Sequence, residues 1–270
     1  MTARATLDEE AERVLARRSA AMVRWFGLVF RRALRRDFHA LRMARGGARP
    51  DPAGAPLVIY SNHPSWWDPI VLSQIVGHLL PGRHAFAPIE AAMLKRYRFF
   101  GRVGLFGVDP GDRRSVRLFA ALARAVLRDP RRLLVVTAQG RFADPRERPL
   151  RLKPGLAHIA HWAPEAHFLP LALDYAFWDE RKPEALVRFG PAVAGASLQA
   201  LSMGERAAIL ERALEAAMDA LRADALSRDP ARFDTVVSGA AGVGGLYDAW
   251  RAARAWTRGE RFSAAHGDGG

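Results

Sequence analysis

From residue 57 to residue 225, short apolar runs alternate with stretches of helical periodicity, and that alternation leaves few folds open. Leu57-Val-Ile-Tyr-Ser61 reads as a buried strand, and residues 68–80 as a helix. Residues 84–87 and 103–108 read as further strands, with a helix over 90–100 between them and another over 113–128 after them. Leu133-Leu-Val-Val-Thr137 is the strongest strand signal in the chain. Residues 153–162 are helical in pattern, 168–175 and 185–189 are strand-like, and 205–225 form a last helix. Strands separated by helices predict an α/β fold, a largely parallel sheet flanked by helices. In such a sheet the chemistry collects in loops at the carboxyl ends of the strands.

The first 50 residues differ in kind. From residue 7 to residue 45 there is no proline and only Gly27, which predicts a long helix or helical pair. They hold twelve arginines against five acids, a net of seven positive charges out of +13 for the 270-residue chain. On a helical wheel Arg24, Arg31, Arg35 and Arg42 share one line, and Met22, Phe26, Val29, Phe30 and Ala33 lie opposite. Such a helix either packs its apolar face on the domain or lies in a lipid interface, and along its length it can do both. The expected organisation is an amphipathic helical segment over 1–50, an α/β domain over 51–230, and a Gly-rich joint, aromatic helix and tail over 231–270.

Composition then narrows the function. Half the residues are apolar, enough to bury a sizeable core. The chain has no cysteine, which removes disulfides, thiolate zinc sites and cysteine nucleophiles together and fits a reducing compartment. Residues 1–12 are acidic, unlike the start of a secretory signal. Residues 20–30 are the most apolar stretch, but Arg24 interrupts it well short of the ~20 residues that span a bilayer. The expectation is a soluble or membrane-surface protein that attracts anions. No zinc finger, RNP motif or helix-turn-helix accompanies the charge, so no nucleic acid is expected as partner. His158 and His161, with His167 nearby, lack a further ligand, so no metal is expected. The glycines from Gly239 to Gly245 follow no strong strand, so a nucleotide fingerprint is not met.

The informative segment is Tyr60-Ser-Asn-His-Pro-Ser-Trp-Trp-Asp-Pro69. His63 and Asp68 sit five apart, after a strand and before a helix, and so share one tight loop at the sheet's carboxyl edge. A carboxylate folded onto one imidazole nitrogen fixes the tautomer and leaves the other nitrogen free as a general base. A histidine that only caps the next helix is the alternative. The segment from Asn62 to Asp68 resembles the H-x4-D motif of the glycerolipid acyltransferases, the family of lysophosphatidate acyltransferases. Further matches follow in the family's order: Gly104-Leu-Phe-Gly-Val-Asp109, Val135-Val-Thr-Ala-Gln-Gly140, and Phe168-Leu-Pro170-Leu-Ala-Leu. Together they cover roughly residues 55–190.

The resemblance implies that His63 deprotonates an acceptor hydroxyl, which attacks the thioester of acyl-CoA or acyl carrier protein directly. Asp68 would hold the histidine, and backbone N–H groups near Gly140 would receive the oxyanion. No separate cofactor is implied. It also implies substrate-binding roles for Asn62, Arg113, Arg114, Gln139, Gly140 and Arg141, a membrane lipid such as a lysophospholipid as acceptor, and a peripheral position on the cytoplasmic face of an anionic membrane. The acceptor blocks depart from the family pattern. Pro110 follows Asp109 where the family has arginine, Gln139 replaces a glutamate, and Phe142 replaces an arginine. The expected acceptor therefore carries a head other than a simple terminal phosphate. Arg146, Arg148, Arg151 and Lys153 form a basic patch that meets either donor phosphates or solvent, and Trp66 and Trp67 wall a channel or belong to the core. The reading from the other class is a non-enzymatic basic binder of membrane or nucleic acid.

Overall fold

The computed structural model describes residues 3–50 and 55–239, which form a sheet with helices on both faces. In chain order the elements are α1 (Ala3–Leu15), α2 (Ala20–Asp37), β1 (Ala40–Ala44), β2 (Leu57–Ser61), α3 (Asp68–Leu79), β3 (His84–Glu90) and α4 (Ala91–Arg96). There follow β4 (Leu105–Val108), α5 (Arg113–Arg128), β5 (Arg132–Thr137), α6 (Gly155–Trp162), β6 (His167–Ala176), β7 (Glu184–Phe189), the two-residue β8 (Val193–Ala194), α7 (Met203–Ser227) and β9 (Phe233–Ser238). The strand order is β4-β3-β5-β2-β6-β7-β1-β9, with β8 on β6. Strands β4, β3, β5, β2 and β6 run parallel, while β7 opposes β6 and β9 opposes β1. The largely parallel α/β sheet is as the alternation of apolar runs predicts.

Strand β2 lies inside the parallel part, and all five of its residues are buried. Alternation along the strand sends Val58 and Tyr60 to one face and Leu57 and Ile59 to the other. The first face is covered by α1, α5, α6 and α7, the second by α2 and α3. Local chemistry sets the helix ends. Asp112 caps α5 by accepting from the N–H groups of Arg114 and Ser115, and Ser202 with Glu205 forms a capping box on α7. Gly104 before β4 has φ +98°, and a Cβ there would lie 2.5 Å from the Ala85 carbonyl oxygen, so glycine is required.

The structure corrects the sequence reading in several places. The expected long helix or helical pair over 7–45 is two helices, α1 and α2, followed by a strand, β1, which joins the sheet between β7 and β9. Arg42 therefore lies in a strand, buried, with its guanidinium on Glu184 at 2.9 Å; the Glu184 carboxylate also bonds His39 at 2.5 Å. The expected helix over 90–100 is the short α4 followed by a 3-10 turn over Arg98–Val103. Strand β9, within the stretch read as a terminal joint, pairs with β1. The aromatic helix and tail expected after it lie outside the described residues.

Helix α2 also divides its surface differently. It buries Leu34 and packs Phe30 on the core, with Phe26 stacked on Phe99 at 5.3 Å. Its outer face mixes Arg24, Arg31, Arg32, Arg35 and Arg36 with exposed Trp25, Leu28 and Val29. Val29, expected opposite the arginines, stands among them. Among the described residues no helix is long and apolar enough to cross a membrane.

Candidate active site

Strand β2 ends at Ser61, and the chain turns through residues 62–67 before α3 begins at Asp68, with Pro69 in its first turn. Three ties hold this loop. The Asn62 amide donates to the Leu173 carbonyl at 2.9 Å and accepts from the Leu173 N–H at 2.8 Å, pinning the loop to β6. The His63 N–H donates to the Gln139 side-chain oxygen at 3.2 Å. The His63 carbonyl accepts from the Ala143 N–H at 3.0 Å.

Within that frame the His63 ring meets Asp68, Nδ1 to Oδ2, at 2.6 Å. Asp68 is fully buried, and an ionised carboxylate offers only acceptors. Nδ1 therefore carries the proton, and Nε2 is left with a free lone pair. The same Oδ2 accepts from the Ser65 N–H at 3.0 Å, and Oδ1 accepts from the Tyr175 hydroxyl at 2.6 Å. Burial foremost, and then the Asp68 charge, drives the Tyr175 phenol far above its ordinary range, so it stays protonated and donates. Phe142 leans against the imidazole, ring centres 4.3 Å apart, and is itself exposed. Trp66 is exposed and packs edge-on against Trp67 at 5.6 Å, and Trp67 in turn meets Phe38 edge-on at 5.0 Å.

The predicted residues separate into two groups. Asn62, His63, Asp68, Gln139 and Gly140 come together at the carboxyl ends of β2 and β5. Asn62 and Gln139 are buried and bond the protein itself; the Gln139 nitrogen donates to the Leu150 carbonyl at 3.3 Å. Both hold the loop through these bonds. Gly140 adopts φ +60°, with the Lys153 side chain 3.0 Å from where a Cβ would stand. Its N–H donates to the Thr137 carbonyl, so it is not an open oxyanion donor.

Arg113 and Arg114 lie at the start of α5, beyond β4. Three strand spacings separate β4 from β2, about 14 Å at the usual ~4.8 Å per step. Arg114 bonds Glu10 of α1 at 2.8 Å, and Arg141 pairs with Glu147. Two arginines of the basic patch are paired likewise, Arg146 with Asp144 at 2.8 Å and Arg148 with Asp219 at 2.7 Å. Among the described residues no group of three or more His, Cys, Asp or Glu is placed to hold a metal.

The sequence motif gives no role to Tyr175 or Ser65. A tyrosine at the end of an apolar strand needs a partner for its hydroxyl once buried, and that is the one signal the sequence holds for it. Comparison with known proteins bears on the same region: the family model described as acyltransferase matches residues 39–174, from the start of β1 almost to the end of β6. No curated protein matches the chain.

Proposed function

Because the chain belongs to the acyltransferase family, we infer that it moves an acyl group from a thioester, acyl-CoA or acyl carrier protein, to a hydroxyl of a membrane lipid, in membrane lipid biosynthesis. The observation that carries this reading is the buried Asp68 carboxylate holding His63 by Nδ1, with Nε2 left to act. In the proposed reaction Nε2 takes the proton of the acceptor hydroxyl as its oxygen attacks the thioester carbonyl. The tetrahedral intermediate collapses, breaking the C–S bond, and the departing thiolate recovers the proton from the imidazolium. The products are an ester and a free thiol, and no acyl-enzyme forms. Since the thioester is already activated, positioning and base catalysis supply what the protein must add.

Two further features support a lipid acceptor and a membrane address. Exposed Phe142 borders the histidine, and exposed Trp66 lies three residues along the same loop; both suit an apolar chain. The outer face of α2 offers Trp25 and Leu28 to an interface, and Arg24, Arg31, Arg32 and Arg35 to anionic headgroups on the cytoplasmic face, while Arg36 is paired with Asp37 at 2.7 Å. For the acceptor head we favour a group other than a terminal phosphate, such as a lysophospholipid with a larger head, a lyso-aminolipid or a glycosylated lipid. Gln139 is occupied internally, and Arg114 and Arg141 are paired with acids of this chain.

The test is thioester consumption by the full chain, with a panel of hydroxyl-bearing lipids and anionic vesicles. His63→Ala is expected to lower turnover ~10²–10⁴-fold. Unchanged consumption by a folded His63→Ala protein overturns the reading.

A further inference from the structure

The family match stops at residue 174, one short of the phenol that touches the Asp68 carboxylate. We propose that Tyr175 is a positioning residue of the site, fixing the Asp68 carboxylate and setting the basicity of His63 through it. The inference rests on His63 acting as base.

The geometry is specific. Asp68 is buried completely and takes three donors: the His63 ring and the Ser65 N–H on Oδ2, and the Tyr175 hydroxyl on Oδ1. Two of these come from the loop that carries the histidine, and would move with it. Tyr175 comes from β6, a strand hydrogen-bonded to β2, and so refers the carboxylate to the sheet. The phenol ring is wedged by Phe38, at 5.7 Å between ring centres, which leaves the hydroxyl little freedom. The titratable groups facing this pair are His63 from the loop, Asp68 from α3, and Asp174 from the phenol's own strand; Phe38, just after α2, contributes its ring. Burial keeps the Asp174 carboxyl above its usual range, and Asp174 uses one oxygen on the Tyr175 N–H.

The sign of the effect follows from charge. A hydrogen bond from the phenol withdraws electron density from the carboxylate, so the field at the imidazole weakens. Without that bond the carboxylate holds an imidazolium more strongly, and a histidine that must be neutral to accept a proton becomes active only at higher pH. A more acidic phenol in the same place does the reverse.

The experiment titrates His63 by nitrogen NMR in the full chain, with its resonance assigned by its absence in His63→Ala, beside the pH profile of kcat/KM. Tyr175→Phe is expected to raise the His63 pKa and shift the acid limb upward, with kcat reduced about tenfold to a hundredfold and KM little changed. Replacement of Tyr175 by 3-fluorotyrosine, which keeps the ring and the donor, is expected to lower both. Should Tyr175→Phe fail to fold, the fluorinated protein alone decides. Shifts of the same sign in the two variants, or a His63 titration unmoved by fluorination, overturn the proposal. The NMR titration needs no turnover, so failure of the enzymatic reading shows separately, as activity that survives His63→Ala.

Discussion

The carboxyl edge of the sheet contains two regions built on opposite principles. Around β2 and β5, the polar groups that hold the histidine loop are buried and bonded to fixed partners: Asn62 to Leu173, Gln139 to His63 and Leu150, Asp68 to His63, Ser65 and Tyr175. Around the start of α5 and the loop after β5, arginines reach outward and meet acids of the same chain at the surface. Buried hydrogen bonds to charged groups are worth ~1.5–3 kcal/mol, exposed ion pairs only ~0–1. The first region is therefore rigid where chemistry needs a set geometry. The second is held by pairs too weak to set a geometry.

That contrast can be broken most strongly at Asp68. Asp68→Asn replaces an anion with an amide that can present its NH2 to the imidazole and favour the wrong tautomer. Turnover should fall ~10²–10⁴-fold with KM within a few-fold. A large rise in KM at normal kcat, read from saturation curves, would transfer the loop to binding.

Gln139→Glu, which restores the acid of the family pattern, tests whether the rigid region depends on an amide. Its Nε2 donates to the Leu150 carbonyl, and a carboxylate there would set two acceptors against each other. An unsatisfied buried group costs ~1–3 kcal/mol, more when charged. The new carboxyl is expected to have a raised folded-state pKa, because its protonated form can still donate. The variant should then be least destabilised at acidic pH and lose stability as pH rises through that pKa. Thermal melts at pH 5 and pH 8 measure this; equal losses at both would mean the position tolerates charge.

In the second region, Arg114→Ala and Arg141→Ala should each change kcat/KM by less than about threefold, the scale of an exposed ion pair. The comparison is run with lysophosphatidate and with larger-headed lysolipids. A clear preference for lysophosphatidate, lost in either variant, would mean that these arginines leave their acids to hold a phosphate. The smallest effect on turnover of a soluble thioester belongs to Leu28→Glu. Vesicle flotation should show it clearly, since that variant places a charge in the mixed arginine and aromatic face; equal flotation of both proteins counts against α2 as the contact.

The elements legible in the sequence were those whose own residues decide them. Strands β2 and β5 are apolar on both faces, and α5 carries its amphipathic face in sixteen consecutive residues with its cap, Asp112, just ahead of them. Strand β1 was not legible. Ala40-Leu-Arg-Met-Ala44 has no β-branched residue and continues a helical pattern, and Arg42 is tolerable in a sheet only because Glu184 arrives from 142 residues away. The dyad of the site was readable because both partners lie in one loop. Tyr175 lies 107 residues from Asp68, so no local pattern joins them. The internal bonds of Asn62 and Gln139 could not be read locally either, because their partners Leu173 and His63 lie 111 and 76 residues away.

The placement of β1 between β7 and β9 has a consequence for the order in which the molecule is made. Its hydrogen-bonding partners end at residues 189 and 238, so the strand leaves the ribosome long before either exists. At synthesis rates of 5–20 residues per second, roughly ten to forty seconds separate Ala44 from Phe233. During that interval α2 and β1 have no finished sheet to dock on, and the arginine and tryptophan face of the helix is presented by a nascent chain. That face is thus translated well before the strands that hold β1 in the sheet are complete.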